Sequence, residues 1–212
     1  MNSKKTLALA VAGALMLAPT AFAQSDDGWQ DGRFAVTLGG AHLSPTSSSG
    51  SLADGAFDAS IDGGNTVTLG LSWFFNDNFA VELWGTPDKF NHTVSLNGAP
   101  GAEIAHRPVA LSAQYHFTFS DQFRPFVGLG YHHTNVFNER GVGPLDGARV
   151  GVETGEGVIG TVGVDFLTGR NWFVRTEARY LDWRSDVGVE GASVGRVDVD
   201  PWLVGLSVGA RF

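Results

Sequence analysis

Cysteine is absent from this sequence of 212 residues, so the chain forms no disulfide and offers no thiolate for catalysis or metal binding. Basic residues are scarce as well, since 14 lysines and arginines against 22 aspartates and glutamates give a net charge of −8. That balance argues against the basic stripe with which proteins bind nucleic acid. Beyond the N-terminus, no apolar run approaches the ~18 residues of a membrane-spanning helix. The sequence also lacks a glycine-rich phosphate loop and an internal repeat.

The N-terminus carries the pattern of an export signal. Two lysines precede an apolar run over residues 6–18, and the small residues at 21–23 form a small-x-small cleavage motif. The apolar run is too short to anchor the chain in a bilayer. We therefore expect residues 1–23 to be a cleaved signal peptide and residues 24–212 to form one exported domain.

The rest of the chain contains short segments in which apolar and polar residues alternate, separated by turn residues. Such alternation is typical of β-strands with two different faces. Eight segments show it, at residues 33–43, 65–75, 78–87, 107–119, 123–136, 156–167, 171–183 and 199–212. Three connections are tight (76–78, 120–122 and 168–171), and four are long and rich in Gly, Ser and Asp (44–64, 88–106, 137–155 and 184–198). The sequence thus predicts an all-β domain of eight strands.

The two faces of these segments differ sharply in character. One face is bulky and apolar, as in Val67, Leu69, Leu71 and Trp73 of the second segment. The other face is small or polar and holds every charged residue of the segment cores: Glu82, Asp165, Arg175, Glu177, Arg179 and Arg211. A soluble barrel would turn the apolar face inward, whereas an outer-membrane barrel turns it toward lipid.

Three features favour the membrane barrel over the soluble one. The lumen of an eight-stranded barrel is narrow, and the apolar face is too bulky to fill it. Aromatic residues gather near segment ends, as they do at membrane interfaces. Short turns at one end and long connections at the other are typical of outer-membrane barrels, with the long loops outside the cell. The sequence therefore predicts an all-β fold, an eight-stranded antiparallel transmembrane β-barrel with short periplasmic turns and longer extracellular loops.

Several blocks of the sequence resemble the OmpW family of small outer-membrane proteins. They are "DNFAVELWGTP" (77–87), "HRPVALSAQYHF" (106–117), "FRPFVGLGYHHTNVF" (123–137), "GVDFLTGRNWFVRTEARYLDW" (163–183) and "VDVDPWLVGLSVGARF" (197–212). The resemblance implies a barrel that gives small hydrophobic molecules a passive path from the outer mouth, with lateral exit into the membrane. It also implies that Phe212, the C-terminal aromatic residue, is an assembly signal.

The resemblance and the strand pattern together select candidate residues for that path. The hydrophobic path is expected to involve Trp84, Pro87, Phe90, Pro108, His132 and Leu203. Its charged floor is expected to consist of Glu82, Asp165, Arg175, Glu177, Arg179 and Arg211. Pro87 and Pro108 remove ladder donors, so they either open a gap in the wall or simply end strands beside a loop. Arg179 stands where family members carry large apolar residues, which puts the width of the channel in doubt.

Two other function classes remain open. Long outer loops would also suit a receptor or an envelope-stabilising barrel that transports nothing. Some barrels of this size modify lipid A, but no Ser, His and acid set is spaced to predict a catalytic site here. We expect no enzyme activity, catalytic residue, metal or cofactor. The expected partners are outer-membrane lipid and lipopolysaccharide, small apolar ligands or detergent, and the outer-membrane assembly machinery; we expect a monomer and no nucleic acid.

Overall fold

The computed structural model describes residues 32–45, 51–52, 57–143, 146–148, 150–152, 154–189 and 192–212. The predicted signal peptide lies outside these residues. Within them there is no helix long and apolar enough to cross a bilayer. The backbone of these ranges instead forms strands, labelled β1 to β14 in chain order.

Eight of the strands form a closed antiparallel barrel. They are β1 (Phe34–Ser44), β4 (Gly64–Phe74), β5 (Phe79–Gly85), β7 (Ala99–His116), β8 (Phe123–Gly141), β10 (Gly155–Leu167), β11 (Trp172–Leu181) and β14 (Trp202–Arg211). Each pairs with the next in this order. The barrel closes because β14 returns to β1, from Ala35 opposite Arg211 to Ser44 opposite Trp202. Closure leaves no unpaired sheet edge in the bilayer, and it confirms the predicted fold.

A belt of apolar side chains covers the outside of the barrel. Leu129 is 66% exposed, Val204 62% and Leu111 57%, and the same outward face continues on every barrel strand. Soluble monomers rarely expose a contiguous apolar patch of this extent, because its contact with water is unfavourable. Aromatic rings contact each other near the ends of the belt, as in Phe79 with Tyr115 and Tyr180 with Trp202. The predicted division into a lipid face and a lumen face is confirmed.

The two ends of the barrel differ as the sequence predicts. At the lower end, β4 and β5, β7 and β8, and β10 and β11 are joined by short turns. Side-chain oxygens stabilise two of these turns: Asn76 Oδ1 accepts from the backbone N–H groups of Asn78 and Phe79, and Ser120 Oγ accepts from that of Phe123. The opposite end, which carries the long connections, is the upper end of the barrel.

The long connections contain far more regular structure than the sequence predicts. They hold β2 (Ser51–Leu52), β3 (Phe57–Ile61), β6 (Phe90–Leu96), β9 (Val150–Val152), β12 (Arg184–Val189) and β13 (Ala192–Asp198). The segment predicted to start at 107 begins at Ala99 in β7, and the one predicted to stop at 136 continues to Gly141 in β8. Cross-strand backbone hydrogen bonds impose this order on sequences too rich in Gly, Ser and Asp to alternate clearly. These strands, with the upper parts of β7 and β8, form the outer extension.

Candidate functional site: the lumen of the barrel

The lumen is filled by inward side chains that change in character from bottom to top. Near the lower end, Ala35, Phe74, Ala80 and Phe173 form a small apolar cluster. A layer of buried ionic groups follows, and a larger apolar cluster lies above it. Period-two alternation produces this arrangement, because each strand sends every second side chain inward.

The charged layer consists of Glu82, Asp165, Arg175, Glu177 and Arg179, all buried. Arg175 binds Asp165 through two parallel hydrogen bonds, Nε to Oδ1 at 2.6 Å and Nη2 to Oδ2 at 2.8 Å. Arg179 binds Glu177 in the same forked manner, at 3.0 and 2.7 Å. Bidentate pairs of this kind are the strongest that arginine makes with carboxylates.

Glu82 joins the two arginine pairs into one network. Its Oε1 accepts from Arg175 Nη1 and its Oε2 from Arg179 Nη2, both at 2.8 Å. Gln114 Nε2 donates to the same Oε2 at 2.7 Å. Glu82 lies on β5, which is four strands away from β11 in either direction around the barrel. The network therefore crosses the lumen from one wall to the other.

Aromatic rings pack against the cations of the lumen. The Arg175 guanidinium lies 4.4 Å from the centroid of the Phe126 ring, and that of Arg179 lies 4.5 Å from the Trp84 ring. Arg211, the sixth predicted floor residue, lies below the charged layer, and its guanidinium carbon is 3.7 Å from the centroid of the Phe74 ring. Cation–π contacts in a desolvated site add to the ion pairs. The lower half of the lumen is consequently lined by charged groups and rings that pack against each other.

The upper apolar cluster lies directly above the charged layer. Trp84 separates the two, because its ring contacts Arg179 below and belongs to the cluster itself. Of the predicted path residues, Trp84, Phe90 and Leu203 lie in it. The complete cluster contains Ala41, Leu43, Trp84, Phe90, Ala110, Ile159, Leu181 and Leu203.

Sequence reasoning missed five of the eight residues of this cluster: Ala41, Leu43, Ala110, Ile159 and Leu181. Leu43, Ile159 and Leu181 were not selected, although each shares the inward parity of a selected or polar neighbour on its strand. Leu181, for example, lies two residues beyond Arg179 on β11. Extending the inward parity of each strand to its upper end would have found them.

Two histidines with nearly parallel ring planes lie above the upper apolar cluster. The rings of His92 and His106 have centroids 4.8 Å apart and planes at 9°, and their Nε2 atoms are 2.9 Å apart. Phe90 stacks on His106, with ring centroids 5.2 Å apart, and Trp183 packs edge-on against His106 at 5.0 Å. This histidine pair lies in the outer extension, above the lipid-facing belt, which begins on β7 at Val109. Burial lowers the pKa of His106 to about 3, and it lowers the pKa of His92 as well.

The remaining predicted path residues have different positions. His132 is buried in the wall, where its Nδ1 pairs with Thr134 Oγ1 at 3.1 Å and its Nε2 donates to the Asp182 carbonyl at 3.0 Å. Pro108 is buried within β7, opposite Thr134 of β8, so the ladder between β7 and β8 continues past it. Pro87 is exposed and lies outside the upper apolar cluster.

The ladder between β5 and β7 is interrupted beside Pro87. It ends where Gly85 pairs with Val109, followed by one bond from Thr86 N to the Pro108 carbonyl at 3.3 Å. Pairing resumes on β6, where Phe90 lies opposite His106. Residues 87–89 belong to neither strand.

An outward apolar belt around a lumen that holds the charges defines an outer-membrane β-barrel protein. The family model of the OmpW family matches residues 30–212 of this chain. The chain belongs to the OmpW family, as its sequence blocks indicate, and its location is the bacterial outer membrane.

Known relatives agree in sequence and in fold. Outer membrane protein W of Escherichia coli (strain K12) is 30% identical over 221 residues, covering 99% of this chain and 100% of that protein. A Pseudomonas aeruginosa protein named "Dibenzothiophene metabolism operon protein PahQ" is 27% identical over 165 residues, covering 74% and 75%. The crystal structure of OprG from Pseudomonas aeruginosa superposes with a TM-score of 0.76 at 26% identity, covering 87% of this chain and 98% of that one.

Proposed function

We propose that this barrel is a channel for the passive uptake of small hydrophobic molecules. The observation that carries the proposal is the upper apolar cluster, which lies inside the lumen and directly above the charged layer. The interior of an outer-membrane barrel is ordinarily polar. An apolar region at its upper end offers a hydrophobic solute an environment more favourable than water.

The charged layer directs such a solute sideways. A molecule moving straight down would have to separate Arg175 and Arg179 from their carboxylates, and breaking a buried ion pair costs about 3–5 kcal/mol. At residues 87–89, near the height of the upper apolar cluster, no strand ladder to β7 closes the wall. We infer that solutes leave there, with Trp84, Phe90, Pro108, His132 and Leu203 along the path and Pro87 at the exit.

The relatives support this proposal at the level of chemistry. PahQ is named for dibenzothiophene metabolism, and dibenzothiophene is an apolar aromatic compound that water solvates poorly. The proposal includes a monomeric barrel in contact with lipid and lipopolysaccharide, inserted by an assembly machinery that binds the C-terminal Phe212. It includes no enzymatic step.

Single cysteines test the path, because the native chain has none. Ala110→Cys places a thiol in the upper apolar cluster, whereas Ala113→Cys, on the same strand, places one on the lipid-facing side. The measurement is uptake of a labelled apolar compound into liposomes that contain the refolded barrel, before and after reaction with a charged thiol reagent. A charge at position 110 should slow uptake about tenfold or more, because the solute must pass a desolvated ion.

Uptake by the two unmodified variants and by modified Ala113→Cys provides the controls. Both unmodified variants should transport like the wild type, and modified Ala113→Cys should do so too. Equal uptake with and without a charge at position 110 would contradict the proposal. Uptake no faster than through protein-free liposomes would do the same and would favour a receptor or envelope-stabilising role.

A further inference from the structure

The hydrogen-bonding pattern of the histidine pair fixes the state of each ring. His92 Nδ1 lies 2.6 Å from the backbone carbonyl oxygen of Asp62. A carbonyl oxygen only accepts hydrogen bonds, so this nitrogen carries the proton. His92 is neutral, and its Nε2 is therefore an acceptor. The 2.9 Å contact between the two Nε2 atoms then requires that His106 Nε2–H donates to His92.

His106 consequently carries a buried acceptor. Because its proton is on Nε2, the Nδ1 of this neutral ring has a lone pair. His106 is 2% exposed, and among the described residues its Nδ1 has no hydrogen-bond partner. A buried acceptor without a partner is unfavourable and is rare in folded proteins.

The neighbouring Trp183 carries a buried donor that also lacks a hydrogen-bond partner among the described residues. Trp183 is 1% exposed, and its indole N–H has no partner within the part of the chain that the structure describes. Its ring packs edge-on against His106, with centroids 5.0 Å apart. A Cβ at position 155 would lie 1.7 Å from Trp183 Nε1, so the indole packs directly against the backbone of Gly155 and a larger residue there would displace it. An acceptor and a donor thus stand together at the top of the lumen.

We propose that this pair of groups selects hydrophobic molecules that carry a hydroxyl group, such as alkylphenols and medium-chain alcohols. The hydroxyl donates to His106 Nδ1, and its oxygen accepts from Trp183 Nε1. The apolar body lies against Phe90, which stacks on His106 and belongs to the upper apolar cluster. A hydroxyl satisfies both groups, an ether only the indole N–H, and a hydrocarbon neither. This inference rests on the proposed function and names its preferred solute class.

A series of three aromatic compounds tests the proposal: 4-propylphenol, 4-propylanisole and propylbenzene. The barrel is refolded in lipid nanodiscs, and its affinity for each compound is corrected for partition into protein-free lipid. The phenol should bind about tenfold more tightly than the ether, since sites built to bind a hydroxyl reject analogues that lack it. In ¹⁵N spectra, the phenol should also move the indole N–H resonance of Trp183, identified with Trp183→Phe.

Two variants separate the hydrogen bonds from the fold. His106→Phe keeps an aromatic ring in the stack but removes the acceptor, and it should abolish the preference for phenol over ether. His133→Phe changes an exposed histidine on β8 and should leave the preference intact. Trp183→Phe should reduce the binding of phenol and ether together, which gives a second test if His106→Phe fails to fold.

The outcomes distinguish this inference from the proposed function. Equal corrected affinities for the three compounds, with propylbenzene still taken up into liposomes, would overturn the hydroxyl preference and leave hydrophobic uptake standing. Absence of both binding and uptake for all three would overturn the two proposals together. A preference for phenol over ether that persists in His106→Phe, together with unchanged binding of both compounds in Trp183→Phe, would overturn the assignment to these residues.

Discussion

Glu82 holds the charged layer together, because it is the one carboxylate in it that both Arg175 and Arg179 contact. It is fully buried and accepts hydrogen bonds on both oxygens. Each arginine has a second carboxylate, Asp165 or Glu177, next to it on the near wall. Glu82 reaches them from the opposite wall, so its loss would leave the two halves of the network unconnected.

We expect Glu82→Gln to lower the free energy of unfolding by about 3 kcal/mol, because it leaves two buried cations with fewer compensating charges. The side-chain shape is kept, so the effect reports on charge. Urea-induced unfolding of the barrel from lipid vesicles, followed by tryptophan fluorescence, measures the change.

An exposed ion pair provides the matched control. Glu103 binds Arg140 at 2.6 Å, but both side chains are more than half exposed. Glu103→Gln should therefore cost only roughly 0–1 kcal/mol. Equal losses for the two variants would show that the charged layer adds no more to stability than a surface pair.

Single residues also show the limit of sequence reasoning. The alternation on β11 predicts that Arg175, Glu177 and Arg179 share the inward face, and they do. It does not predict that Phe126 and Trp84 cover the two guanidinium groups, because those rings come from other strands. Contacts across the lumen depend on barrel closure and register, which local periodicity does not contain.

Strand β7 is longer in the structure than its sequence predicts. Its lower half alternates clearly between lipid-facing and inward residues, and the sequence predicts it correctly. The upper part, from Ala99 to Arg107, is ordered by pairing with β6 on one side and β8 on the other. Pro108 is tolerated inside the strand although it has no N–H to donate to the ladder. Tertiary pairing here overrides weak local propensity.

The outer extension should open more easily as the pH falls. Its histidine pair is buried neutral, and the pKa of His106 is lowered from 6.5 to about 3. Between pH 6.5 and about 3, an opened extension therefore binds a proton that the closed extension does not. The stability of the closed extension is complete above pH 6.5 and declines as the pH falls below that value. The one charged group facing the pair among the described residues is Asp62, 3.8 Å from His92 Nδ1, and it partly opposes the decline by favouring protonated His92. Phe90 and Trp183, which cover the other faces, carry no charge.

Amide hydrogen exchange of β6 measures this opening at neutral and mildly acidic pH, corrected for the intrinsic pH dependence of exchange. Protection should fall on acidification in the wild type and in His133→Phe, whose altered side chain is exposed. It should change much less in His106→Phe, which cannot titrate at that position. The same loss of protection in all three proteins would place the origin of the effect outside the histidine pair.

The molecule as a whole depends on closure between its two ends. Phe212 and Phe34 exchange two backbone hydrogen bonds of 2.8 Å, which extend the β1–β14 seam to the last residue. These bonds involve no side chain, so closure itself does not require an aromatic residue at position 212. A role of the ring in assembly can therefore be tested apart from the fold.

Phe212→Ala should reduce the amount of protein that reaches the outer membrane in cells several-fold, while refolding into vesicles stays close to that of the wild type. The control is Phe119→Ala, because Phe119 is also an aromatic residue at the lower end of the barrel, lies in the turn between β7 and β8, and is 77% exposed. Immunoblots of outer-membrane fractions and heat-dependent gel mobility measure the two quantities. Impaired refolding in vitro would assign the ring to barrel stability, and normal levels in cells would exclude it as an assembly signal.

The sequence by itself determined the membrane barrel, its eight strands, its short and long ends, and which side chains face lipid. These properties follow from the period-two alternation of polarity and from turn residues, both of which are local. Tertiary structure alone decided which inward residues meet. Glu82 reaches Arg175 and Arg179 across the lumen, and Leu43 joins Trp84, because closure and register bring separate strands to the same height. The candidate site consists of such contacts between strands, so its chemistry is defined only in the closed barrel.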